Sequence, residues 1–208
     1  ENISLAISKP AEGINQQVYM VHDEQKVPLL TEILKPATYK RIIVFAGRKE
    51  KVKELGKVFK KLGQKVAAFH SDLEQKEREA IMLDFKNDKL NVLIGTDVLS
   101  RGIDVTGIDL VINYDAPQDP EDYIHRIGRT ARAATTGTAI TLVNGKDKRR
   151  LANIEKLIER QIDRMPLPEH LGEAPKDEPL GEKKPFKKKK KFFKKKPKPQ
   201  GTAPAKTE

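Results

Sequence analysis

"RIIVFAGRKEKVKELGKVFKKLGQKVAAFH", residues 41–70, sets two short β-branched runs on either side of a longer amphipathic one. "RIIVFA" reads as a strand, "RKEKVKELGKVFKKLG" as a helix ended by Gly63, and "KVAAFH" as a second strand. Strand, helix and strand at this spacing predict a right-handed crossover between parallel neighbours. Working outward, the alternation continues on both sides. "QQVYMV" (16–21) and "EQKVPLLTEILK" (24–35) precede it as strand and helix. "EQKEREAIMLDFKND" (74–88), "LNVLIGT" (90–96), "DLVINYDAP" (109–117), "EDYIHRIGR" (121–129), "GTAITLV" (137–143) and "KDKRRLANIEKLIERQ" (146–161) follow. The expected fold is α/β: an open, mainly parallel sheet of five or six strands sandwiched by helices.

Sheets of this kind bind ligands in the crevice outside the carboxyl ends of their strands. The polar residues just after each apolar run are therefore the candidates. Arg48 and Lys49 follow "IIVF", His70, Ser71 and Asp72 follow "VAAF", Thr96 and Asp97 follow "VLIG", and Asp115 follows "VINY".

Two segments stand out. "NVLIGTDVLSRGIDV" (91–105) reads plainly as a strand, a helix cap and a turn, with Thr96 or Asp97 capping and Arg101 and Asp104 as surface charges. About twenty residues on, "HRIGRTAR" (125–132) packs three arginines and a histidine into eight positions. On an uninterrupted helix His125, Arg129 and Arg132 would share an arc of about 60°, with Arg126 about 100° away from His125. No acid lies between Asp122 and Asp147 in sequence, so the expectation is an anion, most simply a phosphate, held by the planar guanidinium fork.

The 208 residues carry a formal net charge of +11, of which the stretch from Pro166 onward contributes +7. That stretch is rich in Pro, Lys and Glu without helical or strand period, and residues 183–199 hold 11 Lys and three Phe with no acid. Disorder is expected there, serving either as a solubilising end or as a nonspecific RNA tether. A membrane-surface role is the remotest reading, for want of an amphipathic helix or a lipidation motif. With no cysteine and four scattered histidines, thiolate chemistry and a metal site are not expected, and a reducing cytoplasm is the expected compartment. No apolar run approaches the ~20 residues that span a bilayer.

"VLIGTDVLSRGIDV" followed by "DYIHRIGRTARA" resembles motifs V and VI of the DEAD-box RNA helicases. "IIVFAGRKEKVKEL" and "AAFHSDLEQKERE" resemble that family's motif IV and the glutamine- and arginine-bearing segment after it. The likeness runs from about Val18 to Gln161, and "RTARAATTGTAITLV" leans toward the RhlE-like bacterial subgroup. The resemblance implies a second RecA-like helicase domain, of P-loop NTPase type, over 18–165, with an interdomain linker over 1–17 and a Lys-rich tail over 166–208. It implies that Arg129 and Arg132 reach as arginine fingers to the γ-phosphate of ATP, that His125 joins the interdomain contact, and that Asp104 and Gly102 face the nucleotide. It further implies that Thr96, Gln75, Arg78 and Arg101 contact an RNA backbone without reading its sequence. No "GKT" or "DEAD" string is present, so ATP and Mg²⁺ are expected to be held mainly by a preceding RecA-like domain, and this chain alone is not expected to hydrolyse ATP.

The sequence departs from the family at "FAGRKE", with Arg48 near a usual Thr or Ser, and at Ser71 in place of a Gly. It departs again at Ala131, which replaces a Gly and for which a negative φ is expected. A non-catalytic RNA-binding or scaffold module of the same fold, and a DNA translocase of the same superfamily, remain as alternatives. The sequence does not name an RNA, a pathway or an oligomeric state.

Overall fold

A computed structural model describes residues 13–35, 38–102, 105, 107–130 and 137–177. The elements run β1 (Ile14–Met20), α1 (Asp23–Leu34), β2 (Ile42–Phe45), α2 (Lys49–Lys61), β3 (Val66–Phe69), α3 (Gln75–Lys86), β4 (Val92–Gly95) and α4 (Asp97–Gly102). They continue with β5 (Leu110–Asn113), α5 (Pro120–Ile127), β6 (Gly137–Val143), α6 (Lys148–Leu157), β7 (Asp163–Met165) and a 3₁₀ turn at Glu169–Leu171. All seven strands pair parallel in the order β3-β4-β2-β5-β6-β1-β7.

Every residue of β2, β4 and β5 is buried. Continuous apolar runs suit strands covered on both faces. Alternate side chains sort between two layers. Ile42, Val44, Ile94, Ile112 and Ile140 pack with Leu30 of α1 and Leu55 and Phe59 of α2. On the other face, Ile43, Phe45 and Val111 meet Phe85 of α3 and Leu99 of α4, while Val18 and Ala139 meet Tyr123 and Ile127 of α5 and Leu151 and Ile154 of α6. Connections that step toward β3 thus cross one face and those that step toward β7 cross the other, one consistent hand throughout.

The helix over 48–63 stops where the sequence says: Gly63 takes φ +79°, the left-handed conformation that ends helices. Three features differ from the sequence expectation. β7 adds a seventh strand, paired to β1 through Gln17, Val18 and Tyr19. α4 replaces a simple cap and turn. The helix carrying His125 ends at Ile127, because the chain turns at Gly128 and Thr130 forms a parallel bridge with Ile108. His125 and Arg129 therefore do not lie on one uninterrupted helix; Arg132 and Ala131 lie outside the described residues.

The domain limits also shift. β1 begins at Ile14, inside the stretch read as linker, and pairs there with Gly137 of β6. After β7 the chain continues against α1: Gln25 Nε2 donates to Leu171 O at 2.8 Å and to Glu173 O at 3.0 Å, and Leu167 and Leu171 pack on the core. The chain divides between Glu178 and Pro179, and the Lys-rich stretch beyond lies outside the described residues.

Thr130 and Gly137 approach each other closely. Thr130, buried, donates its hydroxyl to Ile108 O at 2.6 Å, and a Cβ on Gly137 would overlap the Thr130 hydroxyl oxygen itself. Gly137→Ala is expected to cost about 1–3 kcal/mol, the usual range for an overpacked interior, read from the denaturant midpoint. An unchanged midpoint would show that Thr130 moves aside freely.

Candidate functional site: the carboxyl edge and the cationic helix α5

The polar residues that follow the strands gather at the carboxyl edge. After β3, Asp72 accepts from Lys49 Nζ at 3.0 Å and Lys53 Nζ at 2.7 Å, and these two ammonium groups hold its carboxyl at about 2. His70 beside it is buried with Nδ1 unbonded; burial first, and then the charge of Lys53, lowers its pKa. Gln75 and Arg78 sit on the first turn of α3. Each has a partner of its own: Gln75 Nε2 donates to Glu79 Oε1 at 2.8 Å, while Arg78 donates through NH2 to Ser71 O at 2.8 Å and leaves its buried Nε unbonded. Gln75 is exposed and Arg78 half-buried, so both keep a donor near the loop after β3.

After β4, half-buried Thr96 gives its carbonyl to Leu99 N at 2.8 Å, which opens α4. Arg101 and Gly102 lie on the last turn of α4, and Asp104 lies outside the described residues.

α5 starts on Asp119, whose Oδ1 accepts from Glu121 N at 2.9 Å, with Pro120 at the first helical position. Its cations divide three ways. His125 is exposed, its Nδ1 3.9 Å from Asp122. Arg126, 1% exposed, is the largest fully buried side chain among the described residues. It forks onto Asp97, Nε to Oδ1 at 2.6 Å and NH2 to Oδ2 at 3.1 Å, and its NH1 reaches Asn113 Oδ1 at 3.1 Å and Asp115 O at 3.0 Å. Its guanidinium carbon stands 5.1 Å from the centre of the Phe45 ring. Half-buried Arg129 donates Nε to His125 O at 3.2 Å, past the end of the helix.

This corrects the expectation that no acid neutralises the cluster. Asp97 does so for Arg126, across 29 residues of sequence. α5 runs back along the sheet, so Arg126 sits at the carboxyl edge, while Arg129 lies beside Thr130, which bridges Ile108 ahead of β5.

The signal for Arg126 was available in the sequence: it lies three residues after Tyr123 and beside Ile127, on the face α5 turns inward. Tyr123, whose hydroxyl donates to Gln16 Oε1 at 2.9 Å, ties the same face to β1.

Lys26 carried no such signal. It is buried on α1 with Nζ 2.9 Å from Tyr114 O, 3.1 Å from Asp115 Oδ1 and 3.8 Å from Asp147 Oδ2. Burial raises the Asp147 carboxyl above its usual range despite Lys26 and Arg150 nearby.

Residues 25–134 match the model of the helicase conserved C-terminal domain. Over 154 residues the chain is 40% identical to the DEAD-box ATP-dependent RNA helicase CshA of Geobacillus kaustophilus, an alignment covering 74% of this chain and 33% of that protein. The chain thus spans about a third of the length of the curated relatives it matches. Among solved structures, E. coli SrmB bound to regulator of ribonuclease activity A superposes with a TM-score of 0.73 at 32% identity, covering 80% of this chain and 99% of that one. S. cerevisiae Dbp5 bound to RNA and ADP BeF3 superposes with a TM-score of 0.71 at 34% identity, covering 76% of this chain and 42% of that one. By the matched segment and by its identity to these relatives, the chain belongs to the helicase conserved C-terminal domain family, in the form found in DEAD-box proteins.

Proposed function

We propose that the chain is the second RecA-like domain of an ATP-dependent DEAD-box RNA helicase that separates short RNA duplexes locally. The observation that carries this reading is the division of labour on α5: Arg126 is consumed inside the domain, whereas His125 is turned out to solvent and Arg129 stands past the helix end. A scaffold would need the first of these and not the others.

ATP supplies the γ-phosphoryl group whose transfer to water drives the cycle. The donors this chain offers are cationic and suit phosphate oxygens: Arg129 and Arg132 would stabilise the charge spread over them, worth ~10³–10⁵ in rate for an arginine finger. His125 would meet the preceding domain, and Gly102 and Asp104 the nucleotide's sugar. Mg²⁺ would be held by the preceding domain; among the described residues no three His, Asp or Glu stand close enough to hold a metal.

Thr96, Gln75, Arg78 and Arg101 would hold the RNA backbone, and contacts of that kind position a strand without reading its bases. On "RTARAATTGTAITLV" we place the chain nearest the RhlE-like subgroup, with a linker before it and a Lys-rich tail after it, in a reducing cytoplasm.

The test is ATP turnover by the full-length protein with RNA and with DNA. Turnover raised by RNA alone is expected. Turnover that RNA does not raise overturns the reading in favour of a scaffold, and equal stimulation by DNA in favour of a translocase.

The tail is tested separately. Deleting residues 183–208 is expected to weaken RNA binding and to flatten the slope of log K against log salt, because each phosphate neutralised contributes roughly −0.7 to that slope on single strands. An unchanged slope leaves the tail a solubilising end.

A further inference from the structure

The strand order makes the chain leave β2 toward β3 and leave β5 toward β6. Those two neighbours therefore send their loops apart, and a crevice opens between them. Doubly wound sheets bind their ligands at such a switch point. An open cleft of about 440 Å³ lies there, walled by the loops after β2, β5 and β6 and by α1, α2 and α6. None of the residues assigned above to ATP or RNA lines it. We propose that this cleft is a second phosphate-binding site, with Arg48 and Lys146 as its principal ligands and Lys51 and Gln118 beside them.

The charges of the floor cancel among themselves. Asp115 takes Lys26 on Oδ1 at 3.1 Å, and Arg150 NH1 donates to Asp147 Oδ1 at 2.8 Å and to Ala116 O at 3.1 Å. At the rim, Asp23 Oδ1 is engaged by Asn144 Nδ2 at 2.6 Å. Asp23, whose side chain is exposed, keeps its charge at the rim, and against that one carboxylate the mouth offers Arg48, Lys51, Lys146 and the Gln118 amide. Arg48 and Lys146 are exposed and make no side-chain hydrogen bond or ion pair among the described residues, and the same holds for the Gln118 amide. Among the described residues Lys51 is tied to Glu54 alone, at 2.7 Å, on the surface of the same helix.

The loop after β2 already binds one anion of the protein's own: Gly47 N donates to Asp115 Oδ2 at 2.9 Å. That bond holds Arg48 at the cleft's edge, opposite the loop that carries Lys146. A phosphate offers three acceptor oxygens to the planar fork of the one, the ammonium of the other and the Gln118 amide, a set that a single carboxylate fills less well. The position near a usual Thr or Ser, occupied here by Arg48, thus acquires a role that needs neither ATP turnover nor the residues on α5.

The experiment is a heteronuclear NMR titration of the full chain at low salt, with inorganic phosphate, with ADP, and with a short oligoribonucleotide bearing either a 5′-phosphate or a 5′-hydroxyl. Saturable shifts at the amides of Gly47, Gln118 and Lys146 are expected with phosphate. The double variant Arg48→Ala/Lys146→Ala is expected to weaken that binding at least about tenfold without moving the thermal midpoint, since neither side chain is bonded to the fold. Tighter binding of the 5′-phosphorylated oligonucleotide than of its hydroxyl twin identifies an RNA end as the source of the phosphate. Tighter binding of ADP than of either identifies a free nucleotide. Unsaturable shifts spread over the surface lysines, or saturable binding that the double variant leaves intact, overturn the site. ATP turnover with RNA is a separate measurement, so its failure would sink the helicase reading and leave this site standing.

Discussion

Arg129→Ala or Arg132→Ala is expected to lower RNA-stimulated ATP turnover of the full-length protein by about 10³-fold while leaving the fold intact. Phosphoryl transfer leaves the protein little covalent work, so most of the rate comes from placing fixed charge where the transition state develops it. A guanidinium held past the end of a packed helix is suited to that, because it need not reorganise when charge appears. For Arg129 the expectation of an intact fold rests on its place: it stands past the last residue of α5, half-buried, with its Nε donating to the His125 carbonyl at the helix end. The split between kcat and KM is the informative readout. A contact made only in the transition state lowers kcat and leaves KM close to its starting value, whereas a ground-state phosphate contact raises KM. A loss under about threefold in kcat for both variants would remove the finger role and return the domain to the scaffold reading.

The largest effect on stability is expected at Asp97. Arg126 is a full charge with 2% of its side chain exposed, and among the described residues Asp97 is the acid within salt-bridge distance of it. Asp97→Ala strands that cation in the interior, at a cost of about 3–5 kcal/mol. The reverse deletion is milder, because Asp97 is 38% exposed on its side chain and can turn to water. Arg126→Met keeps the apolar stem against Phe45 while removing the charge, and so should cost less than Asp97→Ala. Joining the two changes should then restore part of what Asp97→Ala loses, a coupling that a double-mutant cycle in urea measures directly. Additive losses would mean that Asn113 and the Asp115 carbonyl, not Asp97, hold the guanidinium.

The six strands read from the sequence, and the helices between them, owe their legibility to local period. Runs such as "IIVF", "VLIG" and "LVIN" are apolar throughout because both faces of a central parallel strand are covered. β7 escaped because "DRM" has neither β-branching nor alternation; it is a short edge strand, exposed at Asp163 and Arg164, and exists because β1 offers it a free side. α4 escaped because six residues are too few to show a helical period. The limit near Pro166 fell too early because the residues that follow are held by α1, through Gln25 and the side chains of Leu167 and Leu171, and not by any pattern of their own.

The candidate site divides in the same way. That polar residues would gather after β2, β3, β4 and β5 followed from the sequence, since a parallel sheet puts all its carboxyl ends on one edge. What each of those residues does there did not follow. Arg126 looked like one more cation in a wet cluster and is instead the largest fully buried side chain among the described residues, paired with an acid 29 residues away. Lys26, on a helix of ordinary composition, reaches a carbonyl 88 residues on.

By itself, then, the sequence determined the layer architecture, the parallel sheet and the edge at which ligands are to be sought, because period and strand-helix alternation are properties of neighbours in the chain. Only the tertiary structure decided which cations face solvent and which are spent inside. A guanidinium is neutralised by whatever acid the fold brings within about 3 Å, and in a sheet whose spatial order is not its chain order that acid comes from another strand's loop.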